Sequence, residues 1–260
     1  MRPHDFRKSP RCPYGDLVWD RYWWVRPQEI PQYEQDYWGD KVKDPDGVCR
    51  DLQSAEEFEK HKDDLKFVIN LIHDLPPGRM LDVGCGPGYL LSAVSPMWER
   101  HGVDISAHGL KSAQRFGKVQ RGELPRMDYP AEFFDVVVMN HVIEHVPDPL
   151  EYVLACRRIL KPGGVFVMAT PDFDSACARH FKTNFRMLHD TGHIRLFTSF
   201  SLVRLLEDHR FRISEVEHPY FESRYFNRDN LLRMLDTAKV SPPFHGNHVV
   251  VVSEKLPDPS

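Results

Sequence analysis

The 260-residue sequence predicts an α/β fold of the doubly wound type, a mostly parallel sheet covered by helices on both faces. Two observations carry this expectation. From Ser54 onward, short apolar runs alternate with amphipathic stretches, and the first of these runs, Arg79 to Val83, leads straight into closely spaced glycines.

Taken in order, the elements begin with an aromatic segment. Nine of the 30 aromatic residues fall in the first 40 positions, among them Trp19, Trp23, Trp24 and Trp38, while Pro27 and Pro31 interrupt any long helix. Residues 1–58 are expected to form an irregular extension that either covers apolar surface on a larger body or faces a substrate. Phe58, Leu65, Val68, Ile69 and Ile72 then recur at helical spacing until Pro76, Pro77 and Gly78 end the run. Strands are expected near 79–83, 100–104, 118–121, 134–139 and 164–169, and helices near 88–95, 106–115 and 149–160. Thr198 can cap a helix reaching about His209. Phe211–Glu217 and His248–Ser253 are strand-like, with a helix near Arg228–Thr237 between them. The expected organisation is the extension (1–58), a nucleotide-binding core (59–217), an insertion (218–247) and the last strand with its tail (248–260).

Composition narrows the function classes. Thirty-four Lys and Arg against 38 Asp and Glu leave a formal charge of −4, so no basic excess is available to concentrate on a phosphate backbone, and no nucleic-acid partner is expected. No apolar run approaches the roughly 18 to 20 residues of a membrane span, and the first ten residues carry no hydrophobic signal core. A soluble cytoplasmic protein without a membrane partner is therefore expected, with oligomerisation left open. The five cysteines are scattered and never form a C-x-x-C pair, which favours reduced thiols over a disulfide framework or a zinc ribbon.

The most informative stretch is Leu81-Asp82-Val83-Gly84-Cys85-Gly86-Pro87-Gly88-Tyr89. Its glycines permit a tight turn after a strand and a close approach of backbone N–H groups to a ligand. The spacing is G-x-G-x-G, whereas a dinucleotide fingerprint needs its third glycine at position 89, where Tyr stands. Asp104 follows Asp82 by 22 residues, at the expected end of the second strand, where a carboxylate can accept both hydrogens of a ribose diol. Its alternative role as a helix cap can be filled by Ser106. No P-loop lysine follows the glycines, which removes nucleoside triphosphates from consideration.

From about residue 60 to 215 the chain resembles class I methyltransferases that use S-adenosyl-L-methionine (SAM). The matching pieces are Leu81–Tyr89, Val103-Asp104-Ile105, the run Phe134 to Val146, and Leu160-Lys161-Pro162-Gly163-Gly164. The resemblance implies a Rossmann-like doubly wound, mostly parallel sheet with an antiparallel last strand. It also implies SAM as cofactor. Asp82, Gly84, Cys85, Gly86 and Gly88 would pass the amino-acid portion of SAM, Asp104 and Ile105 the ribose, and Glu123 and Leu124, in the turn after the third strand, the adenine. Asn140 and His141, after the fourth strand, would approach the methionine part.

His141-Val142-Ile143-Glu144-His145 also matches the inverted zinc-protease pattern H-x-x-E-H. That pattern needs a helix, and here it follows an apolar strand and meets Pro147. The stretch is similar to the ubiquinone-biosynthesis O-methyltransferases, in which side chains at the positions of His141, Glu144 and His145 can hold a divalent cation. A hard cation prefers oxygen ligands, and His141 stands where a carboxylate is usual, so no metal is expected. His145 is as readily explained by a hydrogen bond to the neighbouring loop.

The expected reaction is methyl transfer to an oxygen or nitrogen of a small-molecule acceptor. Alignment of the reactants can contribute about 7 to 11 kcal/mol, more than a general base adds. Histidines are the natural proton acceptors. His180, His189 and His193 lie where a lid is expected, and His145 and His193 form the leading catalytic pair. Acceptor contacts are expected from Tyr33, Tyr37 and Trp38, and from Arg224 and Arg228 set among Tyr220, Phe221, Tyr225 and Phe226. The rivals are a nucleic-acid methyltransferase, opposed by Asn140-His141-Val142-Ile143 where Asn/Asp-Pro-Pro-Tyr would stand, an NAD-dependent dehydrogenase, opposed by Tyr89, and a non-catalytic SAM-binding module.

Overall fold

The computed structural model describes residues 18–20, 22–25, 42–43, 49–190, 192–220, 223–244 and 247–258. Four short strands come first: β1 (Val18–Asp20), β2 (Trp23–Val25), β3 (Val42–Lys43) and β4 (Cys49–Arg50). Helices α1 (Ala55–Asp64) and α2 (Lys66–Asp74) lead into β5 (Arg79–Val83), α3 (Tyr89–Ala93), β6 (Glu99–Asp104), α4 (Ala107–Ala113) and β7 (Lys118–Arg121). The chain continues through β8 (Phe134–Asn140), α5 (Pro149–Ile159), β9 (Leu160–Pro171), α6 (Ala176–Phe181) and β10 (Arg195–Leu196). It closes with α7 (Ser199–Asp208), β11 (Phe211–Glu217), α8 (Arg228–Arg233) and β12 (His248–Lys255).

The central sheet runs β11-β12-β9-β8-β5-β6-β7. Strands β5 to β9 are parallel, and β12 lies antiparallel between β9 and β11. The chain steps outward from β5 to β7 and returns to β8 on the other side of β5, which opens a crevice beyond the carboxyl ends of β5 and β8. Alternate residues of each strand feed opposite layers. Leu81, Val137 and Phe166 join Val153 of α5 and Leu205 and Leu206 of α7 on one face, whereas Met80, Val136 and Val138 join Ile72, Leu91 and Leu110 on the other. Full burial of each such side chain contributes about 1.5–3 kcal/mol, which is why near-continuous apolar strands mark a sheet covered on both sides.

Local signals set the helix starts. Asp148 accepts the N–H groups of Leu150 and Glu151 at the head of α5, with Pro149 in the first turn. Thr198 and Ser201 form a reciprocal capping box at α7. Among the described residues no helix is long and apolar enough to cross a membrane.

The structure departs from expectation in three places. The single helical run before β5 is two helices that break at Leu65, because Phe58 must turn onto Tyr89 while Val68 and Ile72 face the sheet. The helix expected over 228–237 ends at Arg233, and Leu235 beyond it is 83% exposed, so no apolar contact rewards another turn. The described part of the aromatic extension is regular: β1 and β2 pair antiparallel, and β2 pairs with β10. Tyr22 and Trp23 are core residues, Trp23 lying 5.6 Å from the Phe197 ring and the Tyr22 hydroxyl donating to Asp208.

Candidate active site

The sequence between β5 and α3 folds into its turn because two glycines meet conditions no side chain tolerates. Gly84 has φ +72°, and a Cβ there would lie 2.3 Å from Val142 Cγ2. Gly88 has φ +92°, with the Ala113 backbone 2.9 Å from where a Cβ would stand. The N–H groups of Gly84 and Cys85 donate to Val103 O at 2.8 and 3.2 Å, and that of Gly86 donates to Asp104 Oδ2 at 2.8 Å. The other carboxylate oxygen of Asp104 accepts from Ser106 N–H at 2.7 Å. Ser106 caps α4 by accepting from Gly109 N–H, so Asp104 is not spent as that cap. The acid of the second parallel strand and the glycine turn thus stand on one side of the sheet, hydrogen-bonded to each other.

Beyond these strand ends lies a cavity of about 420 Å³, within the range of small-molecule sites. Asp82, Gly84, Cys85, Asp104, Ile105, Glu123, Leu124, Asn140, His141 and His145, ten of the residues singled out in the sequence, line it together. Gly86 and Gly88 do not; they shape the turn behind it. His193 is also not among the lining residues.

One wall is acidic. Burial raises the Asp82 carboxyl well above its ordinary value, and the charge of Asp104 adds to the effect. Burial also raises Asp104, against the hydrogen bonds from Ser106 and Gly86 that favour its ionised form. Glu123 belongs to this wall but is more exposed, and accepts from Arg126 Nε at 2.6 Å. No lysine or arginine is among the lining residues.

The opposite wall is built of imidazoles. His141 follows β8 with φ +54°, held there by donation from its N–H to Ala169 O at 2.9 Å. Its Nδ1 lies 2.9 Å from Glu144 Oε1, and Glu144 Oε2 accepts from Thr170 Oγ1 at 3.0 Å. Burial acts to raise the wholly buried Glu144 carboxyl, but the His141 hydrogen bond and the surrounding imidazoles outweigh it and hold it at about 2. His145 Nδ1 bonds Gly192 O at 2.9 Å in the segment between α6 and β10, and its ring centroid is 4.9 Å from that of His193. His193 is buried, bonds Met187 O through Nδ1 at 2.7 Å, and is pushed down to about 4, first by burial and then by His145. On the far side of His141 stands His248, centroids 4.5 Å apart and rings edge to face; burial holds it well below its ordinary value.

Glu144, His145 and His193 bring ligand-type atoms within 4.8 Å of one another, a trio that has His193 where the resemblance implies His141. Both Glu144 oxygens accept hydrogen bonds, from His141 and Thr170, and His145 and His193 each engage a carbonyl through Nδ1.

Sequence reasoning missed the roof. His61 and Leu65 line the cavity from α1, and Tyr89 stacks on His61 with centroids 3.8 Å apart and planes 13° from parallel, its hydroxyl donating to Leu52 O. Tyr89 was visible only as an absent glycine, and nothing in the spacing of α1 aims His61 at a turn 25 residues away. Elsewhere, Arg224 is not presented to a ligand: it pairs with Asp64 at 2.8 Å and bonds the Tyr225 hydroxyl at 2.7 Å, fastening the insertion to α1. His180 bonds Met234 O. Tyr33, Tyr37, Trp38 and Phe221 lie outside the described residues.

A glycine turn bonded to the acid of the next strand, at the switch point of a parallel sheet, defines a class of small-ligand enzymes on doubly wound sheets. Comparison with known proteins narrows the class: the chain belongs to the family described as Methyltransferase domain, which matches residues 56–216. It is 33% identical over 138 residues to the ubiquinone biosynthesis O-methyltransferase of Alkalilimnicola ehrlichii, covering 49% of this chain and 53% of that protein. The chain thus spans about half the length of that curated relative. Among solved structures it is similar to a SAM-dependent methyltransferase from Archaeoglobus fulgidus (TM-score 0.58, 21% identity, 76% of this chain and 94% of that one). It is also similar to the [4+2]-cyclase SpnF (TM-score 0.57, 18% identity, 75% of this chain and 81% of that one). SAM is the methyl donor that the family membership implies.

Proposed function

We propose that the chain is a SAM-dependent methyltransferase acting on an oxygen or nitrogen of a small molecule. The observation that carries this reading is the charge of the cavity: Asp82, Asp104 and Glu123 face it, and no lysine or arginine lines it. A pyrophosphate would meet uncompensated carboxylates, whereas a donor bearing a sulfonium and an ammonium supplies the cations that this wall lacks. The residues present fit that donor. Asp104, fixed by Gly86 and Ser106, would accept from a ribose diol, Asp82 would lie toward the cationic part, and Ile105, Leu124 and Tyr152 would offer apolar surface for a base.

When bound, SAM supplies a methyl carbon already activated by positive sulfur. The protein holds the acceptor in line with that carbon, keeps water away and removes one proton. The histidine wall, with His145 in the lining and His193 behind it, is the side on which that proton leaves. The relative named as an O-methyltransferase makes oxygen the first acceptor atom to test. A fold shared with a cyclase does not by itself fix the reaction, so the donor must be measured directly.

In thermal denaturation, SAM and its demethylated product are expected to raise Tm. At about 100 times Kd the linkage is about 2.7 kcal/mol, or roughly 5–10 °C for a chain of this size. NAD is expected to leave Tm unchanged, and Asp104→Ala to remove most of the SAM shift. Equal stabilisation by NAD would overturn the assignment.

A further inference from the structure

We infer that His141, backed by Glu144, is the group that takes the acceptor's proton, so that the catalytic base stands one turn earlier than the His145–His193 pair. The inference rests on the methyltransferase reading and assigns a residue within it. Glu144 is wholly buried between two donors, His141 Nδ1 at 2.9 Å and Thr170 Oγ1 at 3.0 Å. An ionised carboxylate only accepts hydrogen bonds, so the proton of the neutral His141 ring must sit on Nδ1, leaving the lone pair on Nε2. His141 keeps about a third of its side chain accessible and lines the cavity, so this ring meets both the acceptor space and the solvent that finally receives the proton.

Two further features separate His141 from its neighbours. Its φ of +54° is the left-handed region that a non-glycine residue enters rarely, and the bond from its N–H to Ala169 O holds it there. His145 bonds the neutral carbonyl of Gly192 through Nδ1, and the Glu144 carboxylate, within 4.8 Å of it, is hydrogen-bonded to His141 and Thr170. The groups facing His141 are Glu144 on its own loop, His248 on β12 and Thr170 on β9 behind Glu144, with Arg186 and His193 farther off acting on His248. Burial favours the neutral form of His248, which limits its opposition to a charge forming on His141.

The step balances within these groups. Nε2 of His141 takes the hydrogen of the acceptor's O–H or N–H, the freed electron pair forms the bond to the methyl carbon, and the carbon–sulfur bond breaks with its pair returning to sulfur. His141 is left as an imidazolium held by Glu144, and it returns the proton to water. Glu144 acts through His141 and is a positioning residue.

The test uses the full chain with SAM and 1,2-dihydroxybenzene as probe acceptor. His141→Asn, chosen because Asn also tolerates the left-handed region, is expected to lower kcat about 10²- to 10⁴-fold while KM for SAM stays within about threefold. The lost rate should return as pH rises toward the pKa of the probe hydroxyl, about 10 for a phenol, because an ionised acceptor needs no base. Glu144→Gln should show a smaller loss with the same recovery. An unchanged kcat in His141→Asn, or a loss that stays flat with pH, would overturn the assignment. Long-range ¹H–¹⁵N spectra of the native chain probe the same ring without any acceptor: His141 is expected as the Nδ1–H tautomer, and the Nε2–H tautomer would overturn the proposal even if the probe is not turned over. Failure of SAM to raise Tm would instead remove the methyltransferase reading and leave the tautomer result standing.

Discussion

The two walls of the cavity are made in different ways. The acidic wall comes from consecutive parallel strands, β5, β6 and β7, and its key contact joins Asp104 to a backbone N–H of the adjoining glycine turn. The imidazole wall follows β8 and is held by side chains from distant segments: Thr170 fixes Glu144, Gly192 fixes His145, and His248 packs on His141. Backbone geometry builds the first wall, whereas a buried polar network builds the second. A network of this kind is worth most when complete and is costly when one member is missing.

The largest expected effect therefore falls on the second wall. Glu144→Ala strands the hydroxyl of the wholly buried Thr170 and takes the partner from the Nδ1–H of the partly exposed His141. The Glu144 carbonyl also accepts from Ile194 and Arg195, so the loop that carries β10 is anchored beside the damage. A loss of about 2–4 kcal/mol in urea unfolding is expected, with an unchanged m-value. Destabilisation below about 1 kcal/mol would mean that the network is not the keystone of this wall.

The same contrast explains which parts were legible in the sequence. β5 falls where its apolar run placed it, because a strand buried on both faces leaves a continuous signature, and the exposed edge strands β7 and β11 also lie at their expected positions. The glycine turn was legible because left-handed φ values restrict the residue type. The break at Leu65 was not, since α1 and α2 share one helical spacing and only their separate packing partners divide them. Nor was the burial of Tyr22 and Trp23, which depends on β2 finding β10 some 170 residues away. In the site, His141 and Glu144 were noticed three residues apart, but no local pattern shows that Thr170 completes them.

Acidification should separate the walls next. Glu144 has a folded-state value of about 2 against an ordinary 4.5, so its contribution is fully present above about pH 4.5 and is lost as pH falls toward 2. His193 is depressed to about 4 from 6.5; it is neutral in the fold while the unfolded chain takes up a proton, so stability declines as pH falls from 6.5 toward 4. Asp82 and Asp104 are raised, which gives the opposite slope: their protonation relieves the fold as pH drops. Stability measured from pH 7 to 3 should fall first in the His193 window, and His193→Asn should flatten that part of the curve. A native curve that rises between pH 6.5 and 4 would show that the acidic wall dominates.

The smallest effect is expected at the rim of the acidic wall, and it separates a residue that lines a cavity from one that holds a ligand. Glu123 stands in the turn after β7 that the family resemblance assigns to adenine, yet its side chain is 44% exposed and its carboxylate already accepts from Arg126. A charge so placed is screened by water and salt, and a surface pair of this kind adds little. The apolar part of the turn, Leu124, is by contrast 1% exposed and packs in the core cluster with Val103 and Val146. Glu123→Ala should therefore leave the SAM-induced rise in Tm within about 2 °C of the native chain, while Asp104→Ala, a buried acid on the same wall, removes most of it. If Glu123→Ala matched Asp104→Ala, the carboxylate would have to leave Arg126 when the ligand binds, and the acidic wall would no longer be the preformed half of the site.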